Sequence, residues 1–254
     1  MDLFNLKNKV AIVTGCSSLQ GIGYAIAEGL AEAGADIVGV ARSDLSEVKE
    51  VIESKTGRKF LAINADLMKK DNLDKIVEET LAEYGKIDIL VNNAGMIRRN
   101  PILDFTVEDW DSVMKVNLRS LFLLTQKVAN YFVDNNVQGK VINTASMLSY
   151  QGGKFVPSYT ASKHAVAGIT KSFCNELAEK KINVNAIAPG YIATNNTAPL
   201  RKDKERSSAI LSRIPAGRWG QNDDLKGAAV FLASEASDYM HGAVIPVDGG
   251  WLAS

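Results

Sequence analysis

With 254 residues the chain is long enough for one large α/β domain that buries about 70–75% of its unfolded surface, and no second domain is required. Its 29 basic and 29 acidic residues balance. Without a basic block a nucleic-acid or anionic-membrane partner has no electrostatic support, so the expected ligand is a small molecule.

Met1 leads through polar Asn5, Lys7, Asn8 and Lys9 into a strand, with neither a signal-peptide core nor an apolar run of spanning length. A cytoplasmic protein is the expectation. Cys16 and Cys174 are too few and too far apart for a disulfide framework or a zinc site, and His164 and His241 lack companions at ligand spacing. No metal is expected.

Val10-Ala-Ile-Val13 reads as a buried strand, followed by the loop Thr14-Gly-Cys-Ser-Ser-Leu-Gln-Gly-Ile-Gly23 and the helical stretch from Tyr24 to Ala33. Strand, glycine loop and helix in this order suit a dinucleotide: glycines admit the backbone to a pyrophosphate, whose charge meets the free N–H groups of the helix start. Five residues separate Gly15 from Gly21, two more than is usual, so the loop is expected to bulge and Ser17 and Ser18 to take over some phosphate contacts.

Gly34 to Ser43 reads as the second strand and its end, where the adenosine ribose of a dinucleotide is read. Ala41 and Arg42 stand there. Arg42 is either a partner for a 2′-phosphate or a solvated turn residue. The third strand, Lys59 to Asn64, ends at Asp66, whose carboxylate suits an adenine amino group or a cap for the helix beginning near Lys70. Ile87 to Val91 is the fourth strand, and Asn92-Asn-Ala-Gly95 is small and amide-rich where a strand must stop beside a planar ring.

A long helix from about Thr106 contains Asn117, poorly suited to a helix interior and expected to bend it or to hold a water. Lys140 to Ser146 reads as a further buried strand. Beyond it, Tyr159, Lys163, Val166, Thr170, Phe173 and Leu177 recur at steps of four and three, so one helical stripe carries a phenol and an ammonium above an apolar seam. An ammonium fixed beside a phenol favours the phenolate, which makes Tyr159 a general acid/base, and Ser146 at a strand end suits a substrate oxygen. Gly152, Gly153 and Pro157 provide the loop between them.

Ile182 to Ala188 is another strand, stopped by Pro189 and turned by Gly190; the polar segment after Tyr191 has the character of a lid, with Thr194, Asn195 and Asn196 at its start. Asp223 to Leu232 reads as a helix and Ala243 to Val247 as the last strand.

Taken together, Thr14-Gly15 with Gly21-Ile-Gly23, Asn92-Asn-Ala-Gly95, Asn117, Ser146, Tyr159-x-x-x-Lys163 and Pro189-Gly190 resemble the short-chain dehydrogenase/reductase family over essentially the whole chain. The resemblance implies a Rossmann-type doubly wound seven-stranded parallel sheet with helices on both faces, a nicotinamide cofactor (NAD, with NADP also accommodated) and a homotetramer. By position, Tyr159 is implied as acid/base, Lys163 as its modulator and ribose ligand, Ser146 as donor to the substrate oxygen and Asn117 as holder of a relay water. The implied cofactor residues are Gly15, Ser17, Ser18, Gly21, Ile22, Gly23, Arg42, Asp66, Leu67, Asn93, Ala94, Gly95, Tyr159, Lys163, Pro189, Gly190, Ile192 and Thr194.

Ile97-Arg-Arg99, Gln151-Gly-Gly153 and Arg213-Ile-Pro-Ala-Gly-Arg-Trp-Gly220 look most like family members that interconvert a 5-hydroxyl and a 5-ketone on a six-carbon sugar acid. They imply a sugar-acid substrate met by Arg98, Arg99, Ser146, Gln151, Tyr159 and Asn195, with at most one of the two arginines facing the pocket. Gluconate oxidation and acyl-carrier-protein ketoreduction are the rival activities. A nucleotide-binding regulator without catalysis is the alternative of another class, and the intact Ser146, Tyr159 and Lys163 argue against it, because a sensor has no need of a proton relay.

Overall fold

The computed structural model describes residues 2–254. Seven strands, β1 (Val10–Thr14), β2 (Asp36–Ala41), β3 (Phe60–Asn64), β4 (Ile89–Asn92), β5 (Lys140–Thr144), β6 (Asn183–Pro189) and β7 (Val244–Val247), form one parallel sheet in the order β3-β2-β1-β4-β5-β6-β7. All five residues of β1 are buried and all seven of β6, as a sheet covered on both faces requires.

The period of two sends alternate side chains to opposite layers. Ala11, Val13, Ile37, Ile89, Val91 and Ile142 join one core with helices α1 (Ile22–Glu32), α2 (Ser46–Thr56) and α9 (Lys226–Ala233). Val10, Ile12, Val38, Val40, Leu90 and Val141 join the other, against α3 (Lys70–Tyr84) and α5 (Ser120–Asp134). Between α3 and α5 lies α4 (Val107–Met114), and α6 (Pro157–Leu177) packs beside β6. The lid segment holds two short helices, α7 (Ala198–Lys202) and α8 (Lys204–Leu211).

A buried cluster ties three helices of the first layer. Glu28 of α1, 3% exposed, accepts from Tyr24 Oη at 2.5 Å, Lys55 Nζ of α2 at 2.7 Å and Lys226 Nζ of α9 at 2.6 Å. Burial opposes its ionisation, but the hydrogen bonds from Lys226, Lys55 and Tyr24 outweigh that and hold the carboxyl down at about 2.

Several expected boundaries move. Helix α2 is absent from the sequence reading. Pro157 is the first residue of α6 rather than part of the preceding loop, since a first-turn residue needs no N–H. Strand β5 ends at Thr144 because Ser146 instead caps a 3₁₀ turn, its Oγ accepting from Leu148 N at 3.1 Å. Pro189 does not stop β6 but closes it, in register with Val247. The last helix begins at Lys226, preceded by a 3₁₀ turn over Asn222–Leu225.

Among the described residues no helix is long and apolar enough to cross a membrane, and no group of three or more His, Cys, Asp or Glu side chains is placed to hold a metal ion.

Candidate active site

Strands β1 and β4 are neighbours in the sheet but their helices leave to opposite faces, so the carboxyl ends diverge and open a crevice. Thr14 and Asn93 join its two lips. Thr14 Oγ1 donates to Val91 O and accepts from Asn93 N and Ala94 N, both at 3.0 Å. Asn93 Nδ2 donates back to Thr14 O at 2.9 Å and Gly15 O at 3.0 Å.

These contacts leave no room for side chains. Gly15 has φ +71°, and a Cβ there would come within 2.7 Å of Ala94 Cα; at Gly23 it would stand 2.4 Å from both Asn93 Nδ2 and Gly15 O.

The long glycine loop does bulge, in a turn where Gly21 N donates to Ser18 O at 2.8 Å. The turn is held from outside: Asn222 Nδ2 donates to Leu19 O at 3.0 Å and Asn195 Nδ2 to Ser18 Oγ at 3.3 Å. Cys16 points inward at the root of the loop, and burial pushes its thiol up to about 12.

The crevice is a cleft of about 400 Å³. Gly15, Ser17, Ser18, Gly21, Ile22, Gly23, Arg42, Asp66, Leu67, Asn93, Ala94, Gly95, Tyr159, Lys163 and Thr194 all line it. A glycine-floored cleft with a helix start at one end, and Arg42 and Asp66 at the other, fits a dinucleotide: α1 for the pyrophosphate, Arg42 and Ser43 for the ribose end, Lys163 and Thr144 for the nicotinamide half.

Pro189, Gly190 and Ile192 do not line the cleft. Gly190 N is engaged by Val247 O as the sheet ends, and Ile192 is 3% exposed in the core, bridged to Gly220. Asp66 Oδ1 accepts from Met68 N at 3.0 Å, bracing the turn rather than capping α3, whose N-cap is Lys69.

The catalytic candidates meet at the far end of the cleft. Val166 and Thr170 are buried below Tyr159 and Lys163 on the stripe of α6. Lys163 is 4% exposed, its Nζ donates to Thr144 O at 2.5 Å and lies 5.5 Å from the Tyr159 ring centroid. Burial lowers Lys163 to about 8.

Burial also raises the Tyr159 phenol, partly offset by hydrogen bonding with Ser146 and then by the charge of Arg99. Lys163 Nζ, 5.5 Å from the ring centroid, donates to the Thr144 carbonyl and not to the phenol, while Arg99 adds a second favourable charge. Ser149, unforeseen in the sequence, links the pieces: its Oγ donates to Lys163 O at 2.7 Å and accepts from Ser146 N at 3.3 Å.

Asn117 interrupts its helix as expected, in a π-turn over Lys115–Arg119. Its side chain accepts from Met96 N at 2.8 Å and donates to Met96 O at 3.0 Å and Ser162 Oγ at 3.1 Å. Ser162 Oγ in turn donates to Tyr159 O at 2.8 Å, so Asn117 fixes the helix that carries the phenol.

Of the substrate candidates, Arg98 turns away to Asp109 at 3.3 Å and is half exposed. Arg99 is partly buried, its charge favours ionisation of Tyr159, and its Nη2 donates to Asn196 O at 3.1 Å. Gln151 is held by Trp251, whose Nε1 donates to its Oε1 at 2.8 Å. Asn195 is turned to Ser18 on the cofactor side, where its amide finds a partner. The C-terminal wall was missed altogether: Trp251 is 5% exposed, edge-on to Tyr191 at 4.8 Å and under the guanidinium of Arg213 at 4.0 Å. A tryptophan directly after the glycine pair Gly249-Gly250 was the available signal.

A family model described as enoyl-(acyl carrier protein) reductase matches residues 15–252. The 2-dehydro-3-deoxy-D-gluconate 5-dehydrogenase of Dickeya dadantii is 56% identical over 255 residues, covering 100% of this chain and 99% of its own. That of Bacillus subtilis is 54% identical over 253 residues, with 99% and 98% covered. A crystal structure from Agrobacterium tumefaciens with bound NADP, provisionally assigned as a 2-deoxy-D-gluconate 3-dehydrogenase, superposes with TM-score 0.93 at 52% identity over 100% of both chains. With the glycine-floored cleft and the Ser146, Tyr159 and Lys163 cluster, these matches establish that the chain belongs to the short-chain dehydrogenase/reductase family of NAD(P)-dependent oxidoreductases.

Proposed function

We propose that the chain is a 2-dehydro-3-deoxy-D-gluconate 5-dehydrogenase of bacterial uronate and pectin breakdown. The observation that carries this is the 54–56% identity over essentially the whole chain to the 2-dehydro-3-deoxy-D-gluconate 5-dehydrogenases of Bacillus subtilis and Dickeya dadantii, alongside an arginine, Arg99, that has no carboxylate within 4.0 Å among the described residues and whose charge favours ionisation of Tyr159. The bound cofactor supplies or takes the hydride. Tyr159 gives or takes the proton at the C5 oxygen, Ser146 donates a hydrogen bond to that oxygen, and Lys163 holds the ribose and the phenol in place. Asn117 keeps α6 in register, and with both N–H groups of its amide donated to Met96 O and Ser162 Oγ it has only oxygen lone pairs left to hold a relay water. Arg99 meets the carboxylate, and the segment from about 191 to 215 serves as a lid on what is otherwise one domain.

NAD is used, with appreciable NADP activity through Arg42. The cytoplasm is the proposed location and a homotetramer the proposed assembly, favoured by exposed apolar side chains on α4 and α5, among them Trp110 (40%) and Phe122 (37%), the latter stacked on Phe173 at 5.9 Å.

The test crosses the two cofactors with 2-dehydro-3-deoxy-D-gluconate and gluconate, for the parent and for Arg42→Ala, Arg98→Ala and Arg99→Ala. Arg42→Ala is expected to lower NADP efficiency more than NAD efficiency. Arg99→Ala is expected to cost one to two powers of ten with the acid, the worth of a charge-assisted hydrogen bond of about 1.5–3 kcal/mol, and Arg98→Ala little. Higher kcat/KM with gluconate in the parent would overturn the substrate assignment.

A further inference from the structure

The segment after β7 is built to hold one side chain in place. Asp248 accepts from Gly250 N and Leu252 N, both at 2.9 Å, and Gly249 and Gly250 turn the backbone at φ +66° and +91°, where a Cβ would come within 3.0 Å of Ile214 and Pro215. Trp251 is thereby set, 5% exposed, in a cluster with Met147, the residue after Ser146, and with Leu200 and Ile210 of the lid helices α7 and α8. Arg213 covers one face of its indole and Tyr191 meets it edge-on, so the direction of the ring N–H is fixed as well.

That N–H donates to Gln151 Oε1 at 2.8 Å. An indole can only donate, so the amide turns its oxygen to Trp251 and its NH₂ away. Among the described residues nothing accepts from Gln151 Nε2. Gln151 lies on the segment between Ser146 and Tyr159, and on either side of it that segment is tied to the helix of the acid/base: Ser149 Oγ donates to Lys163 O at 2.7 Å, and Gly153 N to Thr160 Oγ1 at 3.2 Å. The amide thus stands beside the cluster that joins the turn of Ser146 to the lid, with its oxygen taken and two N–H donors to spare.

We propose that Trp251 is a positioning residue for the substrate: by holding the Gln151 oxygen it presents the Gln151 NH₂ as a fixed donor to a hydroxyl or carbonyl oxygen of the sugar acid away from the reacting carbon. The proposal rests on the sugar-acid reading above and adds the residue that orients one of its ligands. Without the indole N–H the amide is free to turn over and offer its oxygen in the same place, so part of the binding free energy is lost in ordering it when substrate arrives.

The experiment measures kcat and KM with 2-dehydro-3-deoxy-D-gluconate at saturating cofactor for the parent, Trp251→Phe, Gln151→Met and the double variant. Phenylalanine keeps a ring for Arg213 and Tyr191 but has no N–H, and methionine keeps the length of Gln151 without a donor. Trp251→Phe is expected to raise KM about 3- to 10-fold and Gln151→Met about 5- to 30-fold, with kcat within about 3-fold because Ser146, Tyr159 and Lys163 are untouched. The double variant should match Gln151→Met alone, since the indole acts on substrate only through the amide. The Trp251 indole N–H signal in a proton–nitrogen NMR spectrum should exchange with solvent faster in Gln151→Met than in the parent, and NADPH affinity should be the same in all variants. Losses that multiply in the double variant, or a fall in kcat at unchanged KM, would overturn the positioning role. An unchanged KM or an unchanged indole exchange rate in Gln151→Met would overturn it even if Trp251→Phe fails to fold. No turnover of the sugar acid by the parent would instead overturn the reading beneath it, with the indole signal still reporting the bond.

Discussion

Replacing Lys163 with methionine separates what the lysine does for the reaction from what it costs the fold. The ammonium is 4% exposed, and burial lowers it from 10.5 to about 8. At about 1.36 kcal/mol per pH unit, holding the proton on Lys163 at neutral pH costs the folded chain about 3 kcal/mol. The unfolded chain keeps its proton up to 10.5, so between about 8 and 10.5 it binds more protons than the folded one; the penalty is full below 8 and fades through that window. Methionine fills a similar volume but forfeits the charge-assisted hydrogen bond to Thr144 O, worth about 1.5–3 kcal/mol. Lys163→Met is therefore expected to match the parent or exceed it by up to about 1.5 kcal/mol at pH 7, to fall behind it by about 3 kcal/mol more as pH rises through the window from about 8 to 10.5, and to lose at least about 10²-fold in turnover. Urea unfolding followed by tryptophan fluorescence on either side of this window, without cofactor, measures this. A variant less stable than the parent at pH 7, or a gap that does not change with pH, refutes the reasoning.

Tyr159→Phe is expected to cut turnover by about 10²–10⁴-fold while sparing cofactor affinity; near-normal rates when chemistry is limiting would remove Tyr159 from the acid/base role. Gly23→Ala puts a methyl 2.4 Å from Gly15 O and Asn93 Nδ2, so NADPH titration should show affinity at least about 10-fold weaker, from an overpacking strain of about 1–3 kcal/mol. Unchanged affinity would mean that the two lips of the crevice separate freely. Glu28→Gln removes a carboxylate held at about 2, so the parent's stability from this group, complete above about pH 4.5 and lost as pH falls toward 2, should vanish from the variant's acid profile. At pH 7 the variant should be about 2–3 kcal/mol less stable, toward the low end for a broken buried pair because Lys226 keeps Glu32 and Asp223. An acid limb as steep as the parent's would place the titration elsewhere.

What could be read in advance followed from local chemistry. Strands covered on both faces, such as Val10–Thr14, announce themselves as apolar runs, and the spacing of Tyr159 and Lys163 on one helical stripe is a matter of period alone. Helix α2 escaped notice because it buries only Val48 and Ile52 among charged residues, too thin a stripe to stand out. The partners of the substrate candidates escaped for a different reason. Arg99 finds Asn196 across 97 residues, and Gln151 finds Trp251 across 100, so no window of sequence contains either pair. The choice between Arg98 and Arg99 likewise turned on Asp109, which claims one and frees the other. The full engagement of Asn117 depends on Met96 and Ser162, brought together only when α6 packs across the π-turn.

The place of β1 in the sheet bears on how the chain is synthesised. It leaves the ribosome first yet stands third of seven, and its second neighbour, β4, is joined to it through contacts such as Val10 N to Asp88 Oδ2 that span 78 residues. Until that length has emerged, β1, β2 and β3 can pair while the far side of β1 remains an unpaired, apolar edge, and contacts of this separation are slow to close. Of the two permanent edges, β3 and β7, the one at β7 is protected by Pro246, which has no N–H to offer a foreign strand. Aggregation of this chain is thus a hazard of the interval between β1 and β4 during translation, and slowing synthesis within residues 15–88 should raise it more than slowing synthesis after β5.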